Sequence, residues 1–257
     1  MKTVYGPVSS WRLGSSLGID LICSKKKICS FDCIYCQLGK ESDKSTHRKN
    51  FISIKEMKEE VSEVLQQITP DVITFSGMGE PTLAKNMDLA IDAIRELTDL
   101  PLAVLTNSSL LKDENVRKTL SKLDLVVAKI DASNEELFQK INQPAEGITF
   151  KSTVDGIKKF KKIFTGKLAI QTMFMKENIE YADEIAKIVS KIKPDEVQIN
   201  TPLRPCSIKP LTEKQLTNIE KNFKDKGLKT ISVYQSTKPK TSPLDKMDLL
   251  KRRKSIL

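Results

Sequence analysis

No stretch of this 257-residue chain approaches the roughly 18 uncharged apolar residues that cross a bilayer. The N-terminus, MKTVYGPVSSWRLG, has no apolar leader core. A cytoplasmic protein without membrane contact is expected. Histidine is nearly absent: His47 lies in the polar stretch ESDKSTHRKN and reads as solvated, not as a ligand. The five cysteines are odd in number and clustered, which argues against a secreted disulfide framework. No internal repeat, low-complexity run or convincing linker is found before about residue 205.

What is present is ordinary in bulk: 39% hydrophobic and 30% charged residues, as in a folded globular protein. The net charge of +10 is unevenly spread. Residues 24–49 carry +4, residues 151–167 carry +5 and residues 238–257 carry +5, leaving the remainder acidic. Such stretches suit a polyanion such as RNA, or simply a solvated lysine-rich surface.

Short β-branched runs recur, each followed by an amphipathic stretch. Residues 17–23, 71–77, 102–107, 124–131, 167–175 and 195–201 read as strands. Helical periods occupy 53–68, 86–97, 113–123, 134–142, 153–164 and 179–192. Ser53 and Glu56 suggest a capping box, and Val154, Ile157, Phe160 and Ile163 one apolar face. Alternation of six strands with helices predicts a parallel α/β sheet, either doubly wound or a closed or partial barrel. Beyond residue 205, 212–227 reads as helix, 228–234 as strand, and the basic tail 245–257 as weakly helical. The unusual residues cluster just after strands, where parallel α/β folds keep their active sites.

Cys29, Cys33 and Cys36 fall within CSFDCIYC, spaced by three and then two residues. Structural zinc wants four ligands, and a disulfide two. Three thiolates suit catalytic zinc, or a [4Fe–4S] cube capped at three corners with its fourth iron open to a small molecule. Phe31, Ile34 and Tyr35 would shield such a cluster.

With an aromatic before its last cysteine, this loop resembles the signature of the radical S-adenosylmethionine (radical SAM) superfamily. The likeness extends across most of residues 1–206. SGMGEPTL (76–83) looks like the family's glycine–glutamate–proline segment. KIDASNEELFQKIN (129–142) is similar to the region after the fourth strand in molybdenum-cofactor GTP cyclases. YGPVSSWRLGSSLGID, CSFDCIYCQLG and TFSGMGEPTL match a subgroup labelled wyosine-synthetase-like.

The resemblance implies an α/β fold: a partial (β/α)6 TIM-type barrel over residues 1–205, its site at the C-terminal ends of the strands. A C-terminal extension, 206–257, would pack on it as helix, strand and basic tail. It implies a [4Fe–4S] cluster on Cys29, Cys33 and Cys36, with SAM chelating the open iron. Reductive cleavage of SAM would give a 5′-deoxyadenosyl radical that takes hydrogen from a substrate. Tyr35, Gly77, Gly79, Glu80, Asn107, Lys129, Asp131 and Asn200 become the candidate SAM contacts. Each has a plainer reading. The glycines can make a tight turn, Glu80 can complement a helix N-terminus, Tyr35 can pack on the loop, and the strand-end residues can cap helices.

Two positions depart from the family: Lys129 replaces its serine, and Trp11–Arg12 replaces the subgroup's paired arginines. Cys23 and Cys206 are too few for the second cluster of true wyosine synthases and read as buried or incidental, with Cys23 alternatively acting beside the cluster. The first substrate reading is RNA, a tRNA base. A peptide, protein side chain or small metabolite comes second, and a non-catalytic iron–sulfur or zinc protein for nucleic-acid binding or electron transfer third. A flavodoxin- or ferredoxin-type electron donor is implied by the family.

Overall fold

The computed structural model describes residues 2–40 and 44–252. It opens on a hairpin that the sequence pattern hides. β1 (Val4–Ser10) runs antiparallel to β2 (Gly14–Ile19). Gly6 and Pro7 interrupt β1, and proline has no N–H to give a ladder; the register slips between Tyr5 and Val8 at that point.

β3 (Val72–Phe75), β4 (Leu102–Thr106), β5 (Leu125–Lys129), β6 (Lys167–Met173), β7 (Glu196–Asn200) and β8 (Thr230–Ser232) follow, each parallel to its predecessor. Eight strands therefore stand side by side in chain order. The sheet curls into a half barrel, the expected six strands gaining one at each edge.

Helices α1 (Ile54–Leu65), α2 (Met87–Arg95), α3 (Glu114–Leu120), α4 (Glu135–Asn142), α5 (Phe150–Lys161), α6 (Ala182–Ile192), α7 (Glu213–Lys224) and α8 (Lys246–Arg252) complete the chain. Side-chain oxygens of Ser53, Asp113, Asn134, Thr149 and Thr212 accept N–H groups in the first turns of α1, α3, α4, α5 and α7. These caps set where the helices start. Reciprocal capping boxes close at Thr149–Ser152 and Thr212–Gln215. Ile163, expected on the apolar face of α5, lies past its end and is 49% exposed.

Strand alternation sorts the two faces of the sheet. Leu17, Ile19, Ile73, Phe75, Val104, Val126, Ile170 and Val197 pack in one core with Met57, Val61, Ile91, Phe160, Val189 and Phe223 of the helices. The alternate positions mix small or polar residues such as Ser16, Thr74, Gln171 and Asn200 with apolar ones such as Leu105 and Met173. A barrel lined this way leaves room and hydrogen-bonding groups at its centre.

The boundary expected at residue 205 falls in the loop after β7. Beyond it β8 extends the sheet. The tail then returns to β1, where Pro239 O accepts Ser9 Oγ (2.5 Å) and Leu244 N–H donates to Gly6 O (2.8 Å).

Candidate functional site

Asp20, directly after β2, ties the cysteine loop down. Its carboxylate accepts the N–H groups of Ile22 (3.1 Å), Cys23 (3.0 Å) and, from the loop after β3, Met78 (3.2 Å). It also accepts Arg252 Nε at 3.0 Å, and both side chains are 1% exposed. A buried charge pair persists when its remaining hydrogen bonds are filled; Asp248 and Lys2 O complete the arginine's shell.

The glycines of GMGEP make this packing sterically open. A Cβ on Gly77 would lie 2.2 Å from Asp20 Cγ, and one on Gly79, at φ +151°, 1.6 Å from Ile28 O. Ile28 N–H donates to Met78 O (2.9 Å) and Glu80 N–H to Ile28 O (3.0 Å).

Glu80 is buried. Its Oε1 accepts Thr82 N–H (3.2 Å), Thr82 Oγ1 (2.6 Å) and Thr106 Oγ1 (2.7 Å), and its Oε2 accepts Asn107 N–H (2.7 Å). Burial pushes its carboxyl above the usual range while these bonds pull it back. Asn107 passes the restraint on, donating from Nδ2 to Ser30 Oγ (2.9 Å) and Cys29 Sγ (3.5 Å).

Asp131 does the same beyond β5. Oδ2 accepts Tyr35 Oη (2.5 Å) and Asn142 Nδ2 (2.9 Å), while Oδ1 accepts Met173 N–H (2.8 Å). Lys129 Nζ lies 3.6 Å from Asp131 Oδ2 and 4.4 Å from the Tyr35 ring centre. The lysine that departs from the family pattern is thus paired within the wall. Burial, then Asp131, holds the Tyr35 phenol well above its usual range.

All five cysteines are unbridged. Burial, then Glu80, pushes the Cys29 thiol far up, and burial raises Cys33 to about 11 although Lys129 pulls it down. Thiols that resist ionisation in the bare chain become thiolates against a strong positive centre. The surroundings are made for that charge. Asn142 Nδ2 donates to Cys33 Sγ at 3.5 Å. Lys27 sits 2.5 Å from Asp32, and the pull of Cys36 and Asp32 outweighs burial to keep its ammonium charged.

Among the described residues no three His, Cys, Asp or Glu side chains gather as for a single metal ion. A multi-iron cube, with one iron per thiolate, asks for wider spacing. Three unbridged thiols on one loop are a donor set that such a cube can take at three of its corners.

A cavity of about 420 Å³ opens beside the loop. Of the expected residues, Tyr35, Cys36, Gly77, Gly79 and Asn200 line it. Cys29, Cys33, Glu80, Asn107, Lys129 and Asp131 are not among its lining residues. Sequence reasoning missed Asp20, Lys27, Asn142, Gln171 and Arg252. Asp20 and Asn142 end segments already singled out, whereas Arg252 acts 232 positions from its partner and leaves no local signal. Cys23 is half-buried, its thiol raised by burial first, and Cys206 donates to Ile208 O at 3.4 Å. His47 is exposed.

A family model described as the Radical SAM superfamily matches residues 25–189. The chain is 44% identical over 206 residues to the UPF0026 protein slr1464 of Synechocystis sp. (strain ATCC 27184 / PCC 6803 / Kazusa), covering 79% of this chain and 76% of that one. It is 41% identical over 229 residues to a protein named GTPase Obg from Brachyspira hyodysenteriae, covering 86% of this chain but 33% of that relative. A probable GTP 3′,8-cyclase of Saccharolobus islandicus is 27% identical over 172 residues, 66% of this chain and 51% of the other.

Streptococcus suis SuiB bound to S-adenosylmethionine shares the fold at TM-score 0.61 and 17% identity, over 83% of this chain and 50% of that one. Fold, cysteine loop and relatives agree. The chain belongs to the radical SAM superfamily, among the UPF0026 proteins and related to the GTP cyclases, and is an enzyme whose cofactors are SAM and a [4Fe–4S] cluster.

Proposed function

We propose that Cys29, Cys33 and Cys36 hold the cluster, that SAM occupies the adjoining cavity, and that the substrate is RNA, a tRNA base first. One observation carries the reading. A single loop brings three unbridged thiols to the C-terminal ends of parallel strands, with Cys36 in the cavity wall. When bound, the two cofactors supply a 5′-deoxyadenosyl radical by one-electron cleavage of a carbon–sulfur bond, with methionine as the other product.

The chain's own residues position and exclude. Asn107 and Asn142 place N–H donors on Cys29 and Cys33, which stabilises negative sulfur and tunes its potential. Gly77 and Gly79 present bare backbone to the cavity, suited to the methionine end of SAM, while Tyr35 and Asn200 suit its nucleoside end. Glu80, Lys129 and Asp131 act through the loop they hold. Leu105 and Met173 give the cavity a hydrocarbon wall that keeps water from the reacting atoms.

Exposed Lys25, Lys26 and Lys40 around the loop suit an acidic electron donor of flavodoxin or ferredoxin type. Five unbridged cysteines suit the reducing cytoplasm. Among the described residues no helix is long and apolar enough to cross a membrane.

Anaerobic reconstitution, reduction and excess SAM should yield 5′-deoxyadenosine. A confirmed four-iron cluster without that product overturns the reading. Cys33→Ala should lose the brown absorbance of the cluster. Retention of tRNA should fall steeply with salt, and no retention at low salt removes RNA in favour of a peptide or small metabolite. Modified nucleosides compared between cells with and without the gene would identify the product.

A further inference from the structure

The cavity is lined in two layers. Met173 and Asn200 are register partners at the ends of β6 and β7, and both line it. Cys36, Gly77 and Gly79 reach it from loops at the same end of the barrel. Gln171 also lines it, but from two residues back along β6. At about 3.3 Å per residue it stands roughly 6–7 Å beneath that rim. The rim is the layer that suits SAM, so a group that touches Gln171 lies below the cofactor.

Gln171 is 6% exposed, and among the described residues its Nε2 has no hydrogen-bond partner. A buried amide donor left in that state is costly unless a ligand acceptor reaches it. Its neighbours in the sheet do not supply one. Lys129, its register partner on β5, has no acceptor to offer and is engaged with Asp131 and the Tyr35 ring. Gln198, its partner on β7, donates from Nε2 to Glu196 Oε1 at 3.1 Å, and its own Oε1 is without a partner among the described residues. The two adjacent amides therefore do not bond each other. Strands on both sides fix the backbone of Gln171, so the amide sits on a rigid element.

A neutral amide is a fork of one donor and one acceptor, and it matches a neutral group that carries both on one edge. A trans peptide bond points its C=O and N–H in opposite directions and answers only half of that fork. A ring lactam holds the two side by side, as on guanine, hypoxanthine and uracil. Adenine also offers a donor–acceptor edge, but a site shaped for it would compete for SAM's own base. Leu105, Met173 and Val233 line the same cavity with hydrocarbon, which suits a flat ring.

We propose that Gln171 is a specificity-determining residue for the substrate, its side-chain amide pairing with the carbonyl and ring N–H of a nucleobase lactam held beneath SAM. The inference rests on the cavity being the reaction site and the substrate an RNA base, and it deepens that reading by naming the edge that is read.

Trp11, the chain's one tryptophan, lines the cavity, so its fluorescence reports binding without turnover. Inosine carries the lactam; nebularine has the same outline but lacks the carbonyl oxygen and the ring proton. Titrating the full-length protein with inosine should change the emission saturably, and nebularine should bind tenfold or more weakly. That comparison needs no variant. Gln171→Leu should remove the preference, and Gln171→Glu, which keeps the shape but loses the donor, should reduce it, with far-ultraviolet circular dichroism unchanged. Lys118→Gln, which breaks an ion pair on the surface of α3, should keep it.

No saturable change with inosine, equal affinity for the two nucleosides, or a preference that survives in both Gln171 variants overturns the proposal. So does adenosine binding as tightly as inosine. Displacement of inosine by N-acetylglycine methylamide at equal concentration overturns it in favour of a peptide. A loss of SAM affinity in Gln171→Leu as large as the loss for inosine assigns the amide to the cofactor instead. The nucleoside readout needs neither cluster nor SAM. Failure of SAM cleavage would therefore sink the radical reading and leave the base preference standing, and the reverse holds as well.

Discussion

Two sets of side chains, one bracing the cysteine loop behind the cavity and one at the cavity itself, are built on opposite plans. On the β2–β5 side, Asp20, Glu80, Asn107 and Asp131 are buried, and each makes three or more hydrogen bonds inside the protein. On the β7–β1 side, Arg12 and Arg204 are half-buried and Lys238 is exposed. The first wall is satisfied by its own chain and holds the cysteine loop the same way whatever the substrate. The second is more open to solvent, with Arg12, Arg204 and Lys238 at the cavity. Substitutions in the two sets should therefore separate, with large losses of stability in the first and small ones in the second.

The largest effect is expected at Gly79. An alanine there must place its Cβ 1.6 Å from Ile28 O in a backbone conformation that side chains rarely adopt. Gly79→Ala should cost about 4 kcal/mol or more and displace the cysteine loop, so that reconstitution gives no cluster absorbance. Gly39 has a similarly positive φ of +90° but nothing within 4 Å of an added Cβ. Gly39→Ala should therefore cost only about 1–2 kcal/mol. Urea unfolding of the two variants checks the difference; equal losses would mean that strain, not the loop contact, governs this wall.

Asp131→Asn comes next. An amide cannot accept all three of the bonds now given by Tyr35, Asn142 and Met173, and it leaves Lys129 without its carboxylate. A loss of about 3 kcal/mol is expected. Tyr35→Phe removes one of those bonds and should cost about 1 kcal/mol. A double-mutant cycle with both changes should show coupling, because they share one hydrogen bond. Strict additivity would break the picture of a single braced wall.

How much of this was legible in sequence follows the same division. The strands β2 to β7 were readable because short β-branched runs such as 71–77 and 124–131 recur, and helical stretches fill the intervals. β1 was not, because Gly6 and Pro7 break its pattern and only pairing with β2 makes it a strand. The cysteines, Gly77, Gly79 and Glu80 announced themselves by spacing, but their immediate tasks did not. The glycines answer first to Asp20 and Ile28, and Glu80 to Thr82, Thr106 and Asn107. Arg12, Arg204 and Lys238 come together from both edges of the sheet. No local window holds them, so the cationic wall exists only in the fold.

Glu80→Gln tests whether the bracing wall is electrostatic. The amide cannot accept from both Thr106 and Asn107, so a loss of about 2 kcal/mol is expected near pH 5. Burial holds the wild-type carboxyl above its ordinary value of 4.5. The folded state thus keeps its proton to higher pH than the unfolded state does. Stability from this group is complete below 4.5 and declines as pH rises through the raised value. The wild type's advantage over Glu80→Gln should therefore shrink between pH 4.5 and neutrality in urea midpoints. An advantage that grows with pH would mean that the hydrogen bonds outweigh burial.

Lys238→Gln should change least. The side chain is exposed on the loop after β8, and such surface substitutions stay within about 0.5 kcal/mol. Its unfolding midpoint should match wild type. Retention of tRNA should fall only about two- to threefold at low salt, and the difference should vanish at 1 M, where the screening length is about 3 Å. The comparison between the walls turns on this smallest effect. A cation that contributes to binding but not to folding lies outside the braced scaffold. A midpoint shift comparable to that of Asp131→Asn would instead make Lys238 part of the scaffold, and the division between the two walls would fail there.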